Sequence, residues 1–294
     1  MLITGASGFL GWHLCRLAQA QWQVYGTYHT HPMQRPRMTL LSLDLRDYAA
    51  MRELFHRLRP DAVIHTAAQS HPNWCQRHPK AAAAINVIAA WNLAGLCADL
   101  AIPCVFTSTD LVFDGLHPPY AETDAVCPIS FYGEQKVAAE LGMRSRHPGV
   151  AIGRMPIMYG VAPSAPSFLQ PLLANLEAGH PISLFTDEFR TPVSGLTAAH
   201  GLLIALNQLQ GVIHLGGRER LSRYEFGCLL LEVLQRPLTQ LQACRQQDIP
   251  MPAPRPPDVS LNSQRAFDLG YHPLSVREEL LQLGLNATSG TDLP

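Results

Sequence analysis

The feature that most constrains this chain comes at its start. Met1-Leu2-Ile3 runs straight into Thr4-Gly5-Ala6-Ser7-Gly8-Phe9-Leu10-Gly11, and a helical pattern follows from Phe9. Few folds accommodate a short apolar strand, a glycine turn and a helix in immediate succession. Gly5 permits the tight turn, Gly8 lets the backbone approach a pyrophosphate, and Gly11 lets helix and strand pack closely. The unsatisfied N–H groups and positive dipole end of the helix then suit an anion. The spacing is G-x-x-G-x-x-G rather than G-x-G-x-x-G, and the triplet alone is also compatible with an ordinary glycine turn. Gly5, Ser7, Gly8, Phe9, Leu10 and Gly11 are the first candidate ligand residues.

The rest of the first half keeps the rhythm that such a turn demands. Strands are expected at 23–27, 62–66, 103–108 and 150–154, alternating with helices near 9–20, 49–58, 80–100 and 131–144. Strand–helix alternation with short links implies an α/β protein with a parallel sheet covered on both faces. After Arg154 the pattern changes. Pro156, Pro163, Pro166 and Pro171 punctuate the chain, and helices fit 167–178, 196–208 and 222–234, with a short apolar strand at 211–215. The stretch Asp248–Pro257 holds five prolines and reads as extended loop. Two organisations fit 294 residues: one large domain, or a dinucleotide-binding domain over 1–154 with a smaller lobe over 155–294, parts of which return to the sheet.

With 22 Lys+Arg against 23 Asp+Glu, no net field favours nucleic acid or anionic lipid. The seven cysteines are scattered and form no C-x-x-C pair, which suggests neither a disulfide framework nor a zinc site. None of the thirteen histidines shows H-E-x-x-H spacing, so no metal is expected. No leader pattern opens the chain and no stretch is expected to reach the roughly 20 apolar residues of a membrane span. Cytoplasm is the expected compartment, and a homodimer is compatible with all of this.

Tyr132-Gly133-Glu134-Gln135-Lys136 places a phenol and an ammonium one helical turn apart. The ammonium favours the phenolate, bringing the hydroxyl closer to the operating pH, and can also hold a ribose hydroxyl. Only two of the 22 basic residues are lysines, Lys80 and Lys136. A solvated helix face would be served as well by arginine, so the lysine at 136 stands out. Upstream, Thr107-Ser108-Thr109-Asp110 follows a strand, and the Thr109 hydroxyl could stabilise charge on a carbonyl oxygen. Read alone, these hydroxyls equally satisfy their own backbone. Glu134 and Glu140 on the Tyr132 helix look like a solvated face. Trp12, Trp22, Trp74 and Trp91 look like packing residues.

Cofactor choice is read at the end of the second strand. Gly26-Thr27-Tyr28-His29-Thr30-His31 carries donors, Arg35 and Arg37 follow, and the first acid is Asp44. A 2′-phosphate meets positive charge there instead of a carboxylate, which favours NADPH, with NADH the second choice. The competing reading is that these are solvated loop residues.

Taken in order, these motifs resemble the extended short-chain dehydrogenase/reductase family, in its dTDP-4-dehydrorhamnose reductase-like branch. The residues that carry the resemblance are Thr4–Gly11, Asp44-Leu45, His65-Thr66-Ala67-Ala68, Ser108–Gly115, Tyr132–Lys136, Arg154 with Tyr159-Gly160, Arg190–Val193 and Arg255-Pro256, and they span nearly the whole chain. The resemblance implies a Rossmann-type doubly wound parallel sheet with a smaller C-terminal substrate-binding lobe. It further implies NADPH-dependent reduction of a keto group on a nucleotide-linked sugar, with a catalytic set of Thr109, Tyr132 and Lys136. Asp44 and Leu45 would lie at the adenine and Ala67, Ala68 and Gln69 along the cofactor, with His29 and Thr107 joining the glycine turn and the Tyr132–Lys136 pair around it. Thr109, Asp110 and Ile157 would face the sugar, and Arg190 and Arg255 a diphosphate. Ile157 stands where that branch commonly carries tryptophan. Leu111 replaces both the dehydratase glutamate and the cysteine of the GDP-fucose synthase type, which leaves plain reduction. Two alternatives remain at this stage: a non-catalytic NADP-binding regulatory subunit similar to that of methionine adenosyltransferase, and an NAD-dependent sugar-nucleotide epimerase.

Overall fold

The computed structural model describes residues 1–32, 37–163 and 165–285. Seven strands form one sheet: β1 (Leu2–Thr4), β2 (Val24–Tyr28), β3 (Met38–Ser42), β4 (Val63–His65), β5 (Cys104–Thr109), β6 (Ala151–Met155) and β7 (Gly211–His214). Their order is β7-β6-β5-β4-β1-β2-β3, and every pairing is parallel. The order reverses between β1 and β4, and at that switch point the strand carboxyl ends open a crevice. β1, β4, β5 and β6 are buried along their whole length, as strands covered on both faces must be.

One face of the sheet is covered by α1 (Phe9–Ala18) and by the helix Gly195–Gln208, through Leu10, Leu14, Ala198 and Leu202. The other is covered by α2 (Tyr48–Leu58), the helical run α3 over 79–99 and α4 (Phe131–Arg146), through Met51, Phe55, Leu93 and Met143. A further core of Tyr159, Leu169, Leu184, Phe226, Leu230 and Leu280 gathers residues from the second half of the chain beside the carboxyl ends.

Four features depart from expectation. The edge strand β3 has no clear signal in the sequence, because its pattern of half-buried and exposed residues lacks a clean alternation. A short helix, Pro72–Arg77, precedes α3. The run 79–99 is 21 residues long and apolar enough by length and composition to cross a membrane. Half of its apolar window is nonetheless buried inside the protein, where Ala90, Leu93 and Cys97 pack in the core between helices and sheet. Within it, Ala84–Ala89 is wound as a π-helix, a local widening often met at functional sites.

The fourth departure concerns Glu140, which is not on a solvated face. Its carboxylate is buried and accepts from Ser108 Oγ at 2.5 Å, from Arg154 Nε at 3.1 Å and from Arg154 Nη2 at 2.8 Å. Arg154 also lies 3.4 Å from His214 on β7. Helix α4 is thus tied to β5 and β6 by one carboxylate, and through Arg154 to β7, whereas Glu134 is exposed as expected. Removing one member of a buried ion pair costs about 3–5 kcal/mol, because the other charge is left without a partner. Glu140→Ala should therefore lower the urea midpoint sharply, and the double variant E140L/R154M should lose much less. Equal losses in both would show that the ion pair itself matters little.

Candidate active site

The glycine turn lies against the neighbouring strand end. The Gly8 amide donates to the Gly5 carbonyl at 2.9 Å, and the Ala6 amide to the Thr27 carbonyl at 2.9 Å. A Cβ on Gly11 would sit 2.1 Å from the Gly5 carbonyl oxygen, so only glycine lets α1 begin this close to β1. Gly8 caps α1 in extended conformation without a side-chain hydrogen bond, which leaves the helix's first N–H groups for a ligand. The turn opens into a cleft of about 1100 Å³ running along the carboxyl ends of the strands. That volume and this cradle fit a dinucleotide.

Apart from the arginines after β2, every residue anticipated for the site borders this one cleft. On the cofactor side these are the six of the glycine turn together with His29, Asp44, Leu45, Ala67, Ala68, Gln69 and Thr107. Tyr132, Lys136, Thr109, Asp110, Ile157, Arg190 and Arg255 complete the wall. The cationic loop after β2 is a different matter. Arg35 lies outside the described residues. Arg37 immediately precedes Met38, which pairs with Val24 at the amino end of β2. It therefore stands at the edge of the sheet opposite the glycine turn, roughly 16 Å away at about 3.3 Å per residue. The cation that does border the cleft at that end is Arg46, two residues after Asp44 and not singled out from the sequence.

Tyr132 and Lys136 are held by the architecture of α4. Ser130 caps the helix, accepting from the Gly133 amide at 3.2 Å. A Cβ on Gly133 would lie 2.3 Å from the Leu111 carbonyl oxygen, so glycine lets the helix start press against the loop after β5. That contact brings Tyr132 next to Thr109. Lys136 is buried, and its Nζ donates to the Thr107 carbonyl at 2.7 Å while lying 4.6 Å from the Phe106 ring centre. Burial lowers its ammonium to about 8, with Glu140 and the Cys75 thiol pulling the other way.

The expected effect of Lys136 on Tyr132 is not what the geometry yields. Burial, then the Cys75 thiol and the Asp110 carboxyl, push the Tyr132 hydroxyl upward, and the hydrogen bond with Thr109 opposes them. The ammonium is turned toward the Thr107 carbonyl instead. A phenol held above its ordinary range keeps its proton at neutral pH, and that is the form a general acid needs.

The loop facing the cofactor wall is also fixed. Asn86, in the π-helical turn of α3, accepts from the Gln69 amide at 2.9 Å and donates to the Gln69 carbonyl at 3.1 Å and to Gln135 Oε1 at 2.9 Å. The sequence offers no cue for this buried amide beyond an asparagine in an apolar helix. Trp74 borders the cleft and stacks on His78 at 4.6 Å, so its role includes the packing anticipated for it.

At the far end, charge is densely paired. Arg190 is buried, with Nε 3.6 Å from Asp110 Oδ2, Nη2 3.6 Å from Glu188 Oε1, and Nη1 donating to the carbonyls of Phe189 and Pro256. Its Nη1 is committed to the protein, while Nε and Nη2 face the two carboxylates beyond hydrogen-bond range on the wall of the same cleft. Burial raises the Asp110 carboxyl to about 6 against the pull of Arg190 and the hydrogen bond from Thr109. Arg223, unnoticed in the sequence, lies 3.7 Å from Glu188 and 4.2 Å over the Phe168 ring. Arg255 donates to Asn73 at 3.2 Å, and its buried Nη1 has no hydrogen-bond partner.

A family model described as the RmlD substrate binding domain matches residues 1–287. The chain belongs to the RmlD family. It is 32% identical over 290 residues to a probable low-salt glycan biosynthesis reductase of Haloferax volcanii, covering 96% of both chains. It is 28% identical over 278 residues to methionine adenosyltransferase 2 subunit beta of Xenopus laevis, covering 92% of this chain and 82% of that protein. A hypothetical dTDP-4-dehydrorhamnose reductase from Sulfolobus tokodaii superposes with a TM-score of 0.82 at 28% identity, covering 94% of this chain and 97% of that one. The dTDP-4-dehydrorhamnose reductase of Bacillus anthracis, solved with NADP, shares the fold at a TM-score of 0.84 and 22% identity, covering 97% and 98%.

Membership of the RmlD family makes this chain an oxidoreductase of the extended short-chain dehydrogenase/reductase type. Within that family, the paired charges of its far wall generate a measurable expectation. Arg190→Met leaves the buried Asp110 carboxyl without its counter-charge, while Glu188 keeps Arg223, and should cost about 3–5 kcal/mol in a denaturant titration. A change below about 1 kcal/mol would mean that Arg190 is not the counter-charge of Asp110.

Proposed function

We propose that the chain reduces a keto group on a nucleotide-linked sugar, with NADPH as the preferred cofactor and Tyr132 as proton donor. The observation that carries this reading is a single cleft in which the glycine cradle, the Tyr132–Lys136 face of α4 and Thr109 converge. Bound NADPH supplies a hydride to the carbonyl carbon. Thr109 donates a hydrogen bond to the carbonyl oxygen, where negative charge develops. Tyr132 gives its proton to the resulting alkoxide, and Lys136 steadies the ribose hydroxyls. Ile157 and Asp110 flank the sugar. Arg255, with its unpartnered Nη1, offers the diphosphate a charge-assisted hydrogen bond. Residues 1–154 would serve mainly the dinucleotide and 155–294 mainly the sugar nucleotide. Leu111 carries no group that could act as a base, so elimination and epimerisation find no support beside the phenol. The even balance of charge supports a cytoplasmic enzyme with neither a nucleic-acid nor a membrane partner, and a homodimer is its proposed assembly.

Positioned general acids contribute about 10²–10⁴-fold to rate. Tyr132→Phe should lower kcat by that order with a nucleotide 4-keto sugar, while the Kd for NADPH stays within about twofold. An unchanged kcat would remove Tyr132 from the mechanism.

Lys136 generates a pH expectation. Its ammonium, lowered to about 8, is charged below that value and neutral above it. Affinity for NADPH in calorimetric titrations should therefore hold through neutral pH and decline on the alkaline side of about 8. A flat profile to pH 10 would show that the ammonium does not hold the cofactor.

The similarity to methionine adenosyltransferase 2 subunit beta supports a second reading, a cofactor-binding regulatory subunit without turnover. Failure to oxidise NADPH across a panel of nucleotide 4-keto sugars, together with co-purification of a methionine adenosyltransferase, would favour it over the first.

A further inference from the structure

The proline-rich segment before Asp258 meets the first half of the chain through one side chain. Asn73 Oδ1 accepts from the Ala253 amide at 3.3 Å and from Arg255 Nη2 at 3.2 Å. Both partners can only donate, so the amide must turn its oxygen toward them. Asn73 lies in the short helix Pro72–Arg77, and its neighbours His71, Pro72 and Trp74 border the cleft. That helix is anchored to the elements around it. Gln76 Oε1 accepts from the Phe131 amide at 3.2 Å, at the start of α4, and the Cys75 thiol donates to the Gln69 carbonyl at 3.3 Å. Asn73 is therefore packed with the helix that carries Tyr132, while its two partners come from 180 and 182 residues further along the chain.

The backbone around Arg255 is held from the opposite side. Arg190 Nη1 donates to the Pro256 carbonyl at 3.2 Å, and the Phe189 amide to the Pro257 carbonyl at 2.7 Å. The side chain is a separate matter. Its guanidinium is drawn toward Glu188 and repelled by Arg190 and Arg223. A long, rotamer-rich side chain in a field of like charge turns toward water unless something holds it. Among the described residues, Asn73 is the group to which this guanidinium donates. The bond leaves Nη1 buried, without a partner and on the wall of the cleft. A neutral amide oxygen fixes the guanidinium without cancelling its charge, whereas a carboxylate there would offset it.

We propose that Asn73 is a positioning residue for the substrate's diphosphate, holding Arg255 so that its free N–H faces the cleft. Because Asn73 is packed with α4, the same bond sets the span between the diphosphate and the proton donor Tyr132. The inference rests on the reading of Arg255 as a diphosphate ligand.

Calorimetric titration of the whole chain with dTDP, UDP and GDP, in the presence of NADP⁺, reads the effect directly. With the diphosphate that wild type binds best, Asn73→Ala should raise Kd about tenfold, the size expected for misplacing one charge-assisted hydrogen bond. N73Q, which moves the same oxygen by one methylene, should fall between wild type and N73A. The Kd for NADP⁺ should stay within about twofold in both, which shows that the fold is intact. Arg255→Ala should weaken the diphosphate at least as much as N73A. The decisive variant is the double one. If Asn73 acts through Arg255, N73A/R255A binds no more weakly than R255A, whereas a merely structural role adds its own loss. A Kd in N73A within about twofold of wild type, or a further loss in the double variant, would overturn the assignment. Should R255A bind the diphosphate as wild type does, or wild type bind none of the three, the reading of Arg255 fails and Asn73 falls with it. Weakened binding in R255A with N73A unaffected sinks the role of Asn73 alone.

Discussion

The interaction on which the site depends is the burial of the Glu140 carboxylate between α4 and strands β5 and β6. Its bonds to Ser108 and Arg154 fix how α4 sits on the sheet, along its axis and about it. Tyr132 and Lys136 lie on the same helix, two turns and one turn before Glu140. The rotation that buries the carboxylate therefore also turns the phenol and the ammonium into the cleft. The same charge opposes the loss of the Lys136 proton that burial promotes. An apolar residue at 140 could pack as tightly but would offer Arg154 no counter-charge and Lys136 no electrostatic support.

Much of this was legible in the sequence because it rests on local rules. The glycine turn, the alternation of strands and helices and the i,i+4 pair on α4 all follow from short-range geometry, and their residues meet in one cleft as expected. What escaped rests on distant partners. Glu140 reads as a surface acid until Arg154 is known to lie across from it. Arg190 reads as a free cation until Asp110 and Glu188 are seen to surround it. Arg37 and Arg46 are equally basic as letters. Only the register of β3 against β2 sends one to the far edge of the sheet and leaves the other at the cleft. That strand itself was hidden by its position at the sheet edge, where the burial pattern is weak.

The two ends of the cleft handle charge by the same device. At the end beyond the glycine turn a single arginine lies over a single carboxylate, open to solvent. At the far end Arg190 and Arg223 share two buried carboxylates, and Arg255 beside them keeps an unused N–H, leaving a surplus of positive charge. Pairing holds each arginine in one orientation, so less conformational entropy is lost when an anion arrives. Arginine suits this better than lysine, because a planar fork can serve a carboxylate on one edge and a ligand on another.

The cores of this protein are stitched together rather than joined by a hinge. The backbone leaves the sheet layer after Met155 for the core around Tyr159 and Leu184, and comes back at Val193 to form a helix against α1. It departs again between Leu215 and Phe226, rejoins at Ala266, and leaves a last time between Tyr271 and Val276. A body sewn on by so many passes can rock by small sliding movements but cannot swing away on a single strap. The corollary is mechanical: neither core can be excised as one continuous fragment, and both should melt in a single cooperative step.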